Sequence, residues 1–247
     1  MDSTNRVASD LVRSGAAEGL VVVAGHQTAG RGRRGRTWEA PPNSSLLVSV
    51  VLCPPPAPAP VALVTVACAL AAADACGDVA GFVPGLKWPN DLVVGGRKLA
   101  GVLASAALPL AGDSVQGTGP VVVGLGLNVR WPGPMPADLE AIAVTAEAIA
   151  EVRVDLGALL NRYLIRLEER CRDLADAGGD RADAGVPAMM DEYRRRCVTL
   201  GRTVRVELPG GRVLSGVAVD VDGDGSLQVR TEAGLRRVTA GDVVHVR

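Results

Sequence analysis

A glycine- and arginine-rich segment with strands on both sides constrains the fold more than any other feature of the sequence. Residues Gly30–Arg36, GRGRRGR, contain four arginines and three glycines. The glycines match the G-x-G-x-x-G pattern of dinucleotide-binding loops, but that pattern must open a helix. Here the chain continues as TWEAPPNSS, which cannot form a helix, and then as the strand-like run Ser45–Leu52. The segment is therefore predicted to be a loop between two strands, which excludes a Rossmann-type domain.

Composition indicates a folded protein in a reducing compartment. Hydrophobic residues make up 48% of the 247 residues and the net charge is −1, so the arginine cluster is a local feature. The five cysteines are an odd number without a C-x-x-C pair, which disfavours a zinc site or a disulfide framework. We expect a cytoplasmic protein whose side chains hold no metal of their own. The longest apolar run, Val61–Cys76, is too short to span a bilayer, so we expect no membrane association.

Hydrophobic periodicity predicts an α+β protein with two domains, 1–199 and 200–247. The long segment after Asp155 has the period of an amphipathic helix. Helices are predicted at Asn5–Ser14, Val61–Cys76, 155–174 and Pro187–Cys197, and strands at Leu20–His26, Ser45–Leu52, within Gly85–Ala106 and at Pro120–Val129. A proline-rich surface connection, CPPPAPAP, precedes the second helix. After residue 200, short strands separated by glycine-rich turns predict a small β-barrel.

Lysine is almost absent from this chain. Of 26 basic residues, 24 are arginine and two are lysine, Lys87 and Lys98. Arginine is a planar fork, whereas lysine is a compact ammonium that can enter a tight site. A lysine retained against this bias is a candidate for such a site, although chance explains Lys87 equally well.

Polar and glycine-rich stretches recur at the predicted strand ends. They are DSTN (2–5), HQTAGRGRRGRTW (26–38), KWPND (87–91), GRKLAG (96–101) and GLGLN (124–128). Taken singly, each has a structural explanation as a helix cap, a turn or a solvated side chain. Together they provide cations for a phosphate that faces another anion, and glycines that let the backbone approach a ligand. That combination suits the joining of a carboxylate to a nucleotide phosphate.

In their order and approximate spacing, these stretches resemble the biotin–protein ligase family, in its type without an N-terminal DNA-binding domain. The resemblance implies an α+β catalytic domain of the biotin/lipoate ligase, class II synthetase-like type, with a mixed β-sheet and helices on one side. It also implies an SH3-like C-terminal barrel. The implied reaction uses ATP and Mg²⁺ to convert biotin to biotinyl-5′-AMP. The biotinyl group then passes to a lysine of a biotin carboxyl carrier domain of an acyl-CoA carboxylase.

The resemblance also implies roles for individual residues. The implied catalytic residues are Lys98, Arg31 and Arg33, with Asp91 as our candidate to accept or orient the proton of the incoming amine. The implied biotin-binding residues are Ser3, Thr4, Gln27, Gly30, Arg31, Lys98 and Gly101. The implied nucleotide-binding residues are Arg33, Arg36, Trp38, Asn90 and Asn128, with Arg247 near the nucleotide as well.

Two alternatives stay open at this point. Lipoate–protein ligases share the implied fold and the adenylation chemistry, although GRGRRGR with KWPND favours biotin. A non-catalytic nucleotide- or nucleic-acid-binding protein would also use an arginine loop, but a pI near 6.2 does not favour RNA. We expect no DNA among the partners and leave a homodimer open.

Overall fold

The computed structural model describes residues 1–54, 60–107, 119–175 and 185–246. Most of the proline-rich connection and Arg247 lie outside these ranges. The described helices are α1 (Thr4–Arg13), α2 (Pro60–Ala80), α3 (Ala137–Glu140), α4 (Ala146–Ala150), α5 (Leu156–Ala175) and α6 (Gly185–Arg196). The strands are β1 (Val21–Ala24), β2 (Ser45–Leu52), β3 (Gly85–Lys87), β4 (Asp91–Val94), β5 (Arg97–Ala106), β6 (Val121–Asn128), β7 (Thr203–Glu207), β8 (Val213–Val221), β9 (Leu227–Thr231), β10 (Gly234–Val238) and β11 (Asp242–His245).

The first six strands form one sheet in the order β1-β2-β6-β5-β4-β3. Neighbouring strands in it pair antiparallel, and the parallel pairs among the described residues are the isolated bridges Leu86↔Cys197 and Lys98↔Ala143. This order brings the end of β1 and the ends of β4, β5 and β6 to neighbouring positions. The predicted polar stretches therefore meet, and the α+β fold is confirmed. The expectation of a mixed sheet was wrong, because the described strands of this sheet pair only antiparallel.

α2 is the central core helix. Its middle, from Val64 to Cys76, is largely inaccessible to solvent and packs on α5, β5 and β6. Of the helices in the described ranges, only α2 is apolar and long enough to cross a bilayer, and 67% of its apolar window is buried inside the protein. α5 turns Leu159, Tyr163 and Leu167 towards α2, which confirms the predicted amphipathic stripe.

α1 covers the opposite face of the sheet. Successive residues of a strand point to opposite faces, and Val50 packs in the α2 core whereas Val51 packs with Ala8 and Val12 of α1. The expectation of helices on one side was therefore wrong for α1. Its apolar face is only about three turns long, so its sequence gave no sign of which side of the sheet it would cover.

The remaining five strands form a second antiparallel sheet in the order β10-β9-β8-β7-β11. The predicted small β domain is confirmed, and its described pairings run in an open order from β10 to β11 rather than around a closed barrel. It packs against the turn between β3 and β4. The Trp88 indole N–H donates to the Gly225 carbonyl at 2.9 Å, and the Trp88 amide donates to Thr199 Oγ1 at 3.1 Å. The second sheet thus borders the KWPND stretch directly.

Candidate active site

One end of the site is a hydrogen-bonded polar cluster at the start of α1. The Thr4 amide and hydroxyl both donate to Gln27 Oε1, at 2.7 and 3.1 Å. Ser49 Oγ on β2 donates to Thr4 Oγ1 at 2.8 Å and also contacts Asn5 Oδ1. The Asn5 side chain donates from Nδ2 to the Leu103 carbonyl at 3.0 Å. Thr4, Asn5 and Ser49 are buried, so the bonds among them fix the polar end before any ligand arrives.

Glycines on β5 and β6 form the floor beside this cluster. A Cβ on Gly124 would lie 2.0 Å from Asn5 Oδ1, and a Cβ on Gly126 would lie 2.7 Å from Cε2 of Trp38. A Cβ on Gly101 would lie 3.4 Å from Cζ3 of the same indole. The Trp38 ring therefore rests on the backbone of Gly126 at a distance that only glycine permits, and it contacts Gly101 at an ordinary packing distance.

Lys98 stands between the floor and the next strand. Its ammonium forms an ion pair with Asp91 Oδ1 at 2.7 Å, without hydrogen-bond geometry, and lies 5.5 Å from the centre of the Trp38 ring. Its backbone is held on both sides, since its amide donates to Ile142 and its carbonyl accepts from Val144. The indole Nε1 of Trp38 is buried and has no hydrogen-bond partner among the described residues. The groups around Lys98 are thus held in place, and the Trp38 indole N–H is a donor beside them that has no partner in the described part of the chain.

Arg33 connects the arginine loop to turns of both sheets. It sits at the start of a single 3₁₀ turn and donates to Asn90 Oδ1 at 3.2 Å and to the Gly241 carbonyl at 3.3 Å. Burial lowers the pKa of its guanidinium, an effect opposed by the charges of Asp242 and Asp91. Arginine nevertheless stays charged in proteins, so Arg33 is a half-buried fixed cation.

The next arginines of the loop dock on the edge of the second sheet. Arg34 adopts a left-handed backbone, with φ of 55°, and donates to the Glu207 carbonyl at 3.1 Å. Asp242, at the start of β11, lies 3.6 Å from the Arg34 guanidinium and also pairs with Arg36. The loop is therefore held by carboxylates that a phosphate could replace.

Two adjoining cavities bring most of the predicted residues together. The larger, of about 150 Å³, is lined by Arg31, Arg33, Arg36, Trp38, Lys87, Asn90, Asp91, Lys98, Gly101 and Asp242, with seven further residues. The smaller, of about 30 Å³, is lined by Ser3, Thr4, Gln27, Arg31, Trp38 and Gly101, with five further residues. Three predicted residues, Arg31, Trp38 and Gly101, line both, so the two cavities are parts of one site.

Gly30 and Asn128 lie just outside these walls. A Cβ on Gly30 would lie 2.3 Å from the Trp38 carbonyl oxygen and 3.1 Å from Gln27 Nε2, so this glycine lets the loop close on itself. Asn128 Nδ2 lies 3.5 Å from the Lys98 carbonyl and 3.4 Å from that of Val144. Asn128 thus braces the strand that carries Lys98.

The sequence patterns did not predict Asp242 or a cavity that neighbours the site. A third cavity, of about 310 Å³, is lined by Arg97, Arg130, Trp131 and Val144 beyond Asn128. Trp131 could have been found as the third tryptophan, since the other two adjoin predicted motifs. Asp242 carries no local signal, because its role depends on the packing of the second sheet against the loop.

The acidic side chains near the site determine how a magnesium ion could bind. In the described ranges no three histidine, cysteine or acidic side chains come together as a metal cluster. Asp91 and Asp242 are the carboxylates that line the larger cavity. Magnesium commonly binds through one or two carboxylates together with substrate phosphates. These residues therefore fit a magnesium ion that arrives with a nucleotide.

Comparison with known proteins assigns the chain to a family. Residues 1–118 match the model of the biotin/lipoate A/B protein ligase family, and residues 199–246 match that of the biotin protein ligase C-terminal domain. The chain is 36% identical over 234 residues to a biotin–[acetyl-CoA-carboxylase] ligase of Mycobacterium tuberculosis, covering 93% of this chain and 80% of the relative. The chain belongs to the biotin protein ligase family.

Further relatives agree with this assignment. The bifunctional ligase/repressor BirA of Bacillus subtilis is 28% identical over 244 residues, which cover 98% of this chain and 71% of the relative. The structure of the biotin protein ligase of Aquifex aeolicus in complex with biotin and ATP superposes with a TM-score of 0.79. That match covers 100% of this chain and 95% of the other at 23% identity, and so supports the fold alone. The predicted catalytic fold with an SH3-like C-terminal part is confirmed.

Proposed function

We propose that this ligase activates biotin as biotinyl-5′-AMP and then transfers the biotinyl group to a lysine of a biotin carboxyl carrier domain. The observation that carries the proposal is the position of Lys98. Its ammonium lines the cationic cavity beside Gly101, which also lines the polar cavity, and it lies next to Asp91 and 5.5 Å from the centre of the Trp38 ring. A carboxylate from one cavity and a phosphate from the other meet at this point.

In the first step, a carboxylate oxygen of biotin attacks the α-phosphorus of ATP, and the bond from that phosphorus to the bridging oxygen of pyrophosphate breaks. The carboxylate is ionised at neutral pH, so this step needs no general base. The obstacle is the repulsion between two anions and the charge that develops during transfer. Lys98, Arg31 and Arg33 are placed to neutralise that charge.

Biotin enters the polar end of the site, where Ser3, Thr4 and Gln27 offer hydrogen-bonding groups and Gly30 and Gly101 allow close approach. The smaller cavity measures about 30 Å³, and a single buried water already needs about 10–15 Å³. Biotin is far larger, so the Trp38 indole must lift from the glycine floor to admit it. The loop can then close over the adenylate and shield it from water.

The nucleotide occupies the cationic end of the site. We assign the phosphates to Arg33 and Arg36, with Asn90 holding Arg33 in position. A base can extend past Asn128 into the third cavity, where Trp131 offers a stacking surface. When Mg²⁺ is bound, Asp91 would hold it against the phosphates, whose negative charge it would offset.

In the second step, the amine of the carrier lysine attacks the acyl carbon, and the bond from that carbon to the phosphate oxygen breaks, which releases AMP. The amine must lose a proton during this step. Asp91 is our candidate to accept or orient that proton, because its carboxylate lies beside Lys98 at the reacting position.

The remaining assignments follow from this reaction. We infer a catalytic domain at 1–199 and a C-terminal domain at 200–247. The partners we infer are ATP, biotin and the carrier domain of an acyl-CoA carboxylase, with neither DNA nor a membrane among them. Because free ATP and carboxylases are cytoplasmic, we place the enzyme in the cytoplasm.

Ligation to a carrier domain tests the proposal. The purified chain is incubated with ATP, magnesium, biotin and a biotin carboxyl carrier domain, and the mass of the carrier is measured. We expect a mass increase of one biotinyl group that is lost when the acceptor lysine of the carrier is replaced by arginine. Lipoylation of a lipoyl domain without biotinylation of the carrier domain would overturn the proposal in favour of a lipoate ligase.

A further inference from the structure

We infer that Lys87 is a second phosphate-binding lysine, which holds the β- and γ-phosphates of ATP and then the pyrophosphate leaving group. The inference rests on the proposed function, since it concerns how the same site binds its nucleotide. It assigns a role to the one lysine that the proposed mechanism does not use.

The position of Lys87 places it in the cationic cavity. Lys87 ends β3 and pairs with Asp91 of β4, so the two side chains stand on the same face of the sheet. Seventeen residues of the chain line the larger cavity, and both lysines of the chain are among them. Both lysines of this arginine-rich chain therefore line the same cavity.

The charge balance of the cavity leaves Lys87 without an internal counter-ion. Five cationic side chains and two carboxylates line it. Asp91 is engaged by Lys98 at 2.7 Å, and Asp242 is engaged by Arg36 and by Arg34 of the same loop. Within the described part of the chain, no carboxylate lies within 4.0 Å of the Lys87 ammonium. An anion from outside the protein is thus the natural partner of Lys87.

His245, whose pKa is influenced by the charge of Lys87, lies outside the cavity lining and is uncharged at neutral pH. Burial, together with the charges of Lys87 and Arg202, lowers the pKa of His245 to about 4. His245 Nε2 lies 3.2 Å from Thr199 Oγ1, which also accepts from the Trp88 amide. The imidazole therefore neither repels nor pairs with an anion at Lys87, and its contacts fix the strand end that carries this lysine.

The order of the strands matches the order of the reacting groups. The small polar cavity includes Gly101 of β5 but not Lys87, and β4 with Asp91 lies between β5 and β3. Neighbouring strands are about 4.8 Å apart, so β3 and β5 are separated by roughly 10 Å. In phosphoryl transfer the attacking and leaving oxygens are roughly in line. With the carboxylate at β5 and Lys98 at the α-phosphate, the leaving pyrophosphate points towards Lys87.

Substitution of Lys87 tests this assignment through the two half-reactions. In Lys87→Met, we expect the KM for ATP and the KM for pyrophosphate in the reverse reaction to rise about tenfold, since one charge-assisted contact is lost. Transfer from preformed biotinyl-AMP to the carrier should stay within about twofold, because no pyrophosphate takes part in it. Lys87→Arg should recover part of the loss. The matched control is Arg202→Met, which removes the other cation that acts on His245 but does not line the cavity.

Three outcomes of that experiment separate the hypotheses. Unchanged KM values for ATP and pyrophosphate in Lys87→Met would overturn the assignment. A loss confined to the transfer step would overturn it too, and would make Lys87 a contact for the carrier domain. Failure of the unsubstituted enzyme to form biotinyl-AMP would instead refute the proposed function.

Chemical labelling of the unsubstituted enzyme gives an independent test that needs no variant to fold. Because the chain has only two lysines, a mass spectrum after trace acetylation reports each of them separately. Saturating pyrophosphate should slow the labelling of Lys87 about tenfold, as expected for an ammonium held by a charge-assisted hydrogen bond. Equal labelling rates of Lys87 with and without pyrophosphate would refute the inference.

Discussion

At the biotin end of the site the polar side chains bond to one another, whereas at the phosphate end the cations are held by carboxylates of a different sheet. Thr4, Asn5 and Ser49 form a buried network within the first sheet. Arg34 and Arg36 reach across to Asp242, and both arginine side chains are at least 40% exposed. One end is preorganised, and the other is a set of exchangeable ion pairs.

The difference indicates how each substrate is recognised. A polar cluster with fixed hydrogen bonds selects by hydrogen-bonding pattern, because a ligand must match groups that are already held in place. An arginine loop held by exposed ion pairs costs little to rearrange, since such pairs contribute only about 0–1 kcal/mol each. A nucleotide triphosphate can therefore replace the carboxylates as partner of the loop. Substitutions at the two ends should accordingly affect biotin and ATP separately.

Lys98→Arg should have the largest effect, because we propose that Lys98 contacts both the biotin carboxylate and the α-phosphate. Arginine keeps the charge, but its larger planar group cannot replace an ammonium packed between Asp91, Trp38 and Gly101. We expect biotinyl-AMP formation to fall by about 100- to 1,000-fold, the usual cost of losing one preorganised group at a developing charge. Pyrophosphate release measures this. Near-normal release would remove Lys98 from the mechanism and leave the family assignment standing.

Gly124→Ala should damage the biotin end alone. The added Cβ would lie 2.0 Å from Asn5 Oδ1 and would displace Asn5 from Ser49. A shift of about 1 Å in a positioned group can cost about 100-fold in rate, so we expect biotin kcat/KM to fall by up to that factor. The KM for ATP should change little. Gly223→Ala is the control, since no atom lies within 4 Å of its added Cβ. Equal losses of kcat/KM for biotin and for ATP would contradict the view that the two ends of the site act independently.

Asp242→Asn should produce a smaller change, confined to the phosphate end. It removes the carboxylate that pairs with Arg34 and Arg36 and so releases the loop from the second sheet. Because Asp242 no longer competes with the phosphates for the two arginines, we expect kcat/KM for ATP to rise by about fivefold or less, with the KM for biotin unchanged. Asp220→Asn is the matched control, because its pair with Arg194 lies on the same sheet away from the cavity. A loss of kcat/KM for ATP instead of a rise, above all one larger than the loss that Gly124→Ala causes for biotin, would mean that ATP cannot replace the carboxylates as partner of the loop.

The smallest effect concerns the pH dependence of stability at the second sheet. The pKa of His245 is lowered from 6.5 to about 4, so the unfolded chain binds the proton more readily than the folded one. The contribution to stability is complete above pH 6.5 and is lost as the pH falls towards 4. The unfolding temperature should therefore drop less over this range in His245→Gln than in the unsubstituted protein. Parallel curves for the two proteins would exclude His245 as the cause.

Local sequence patterns predicted most helices and strands and most residues of the site, but not the contacts that hold those residues in place. The continuous apolar run of Ser45–Leu52, which is buried on both faces, and the period-3.6 pattern of the helix after Asp155 were recognisable because both are long. The motif that contains Lys98 and Gly101 could be recognised because its functional residues lie within one short segment. By contrast, α3 and α4 were not predicted, since helices of 4 and 5 residues show no period.

The remainder of the site depends on contacts between distant segments. Ser49 bonds Thr4 across 45 residues and Asp242 pairs Arg36 across 206. Neither residue differs in local sequence from an ordinary strand serine or turn aspartate. Such partners are set by strand order and by the packing of the two sheets, which no single window of sequence contains.

Formation of the acyl-adenylate tests the central claim most directly. The purified chain is incubated with ATP, magnesium and either biotin or lipoate, and pyrophosphate release and the mass of the acyl-AMP are measured. We predict biotinyl-AMP and pyrophosphate release that depends on biotin, with no lipoyl-AMP. Lipoyl-AMP alone would keep the fold and the chemistry but contradict the assigned substrate. The absence of both products would contradict the two-ended adenylation site itself.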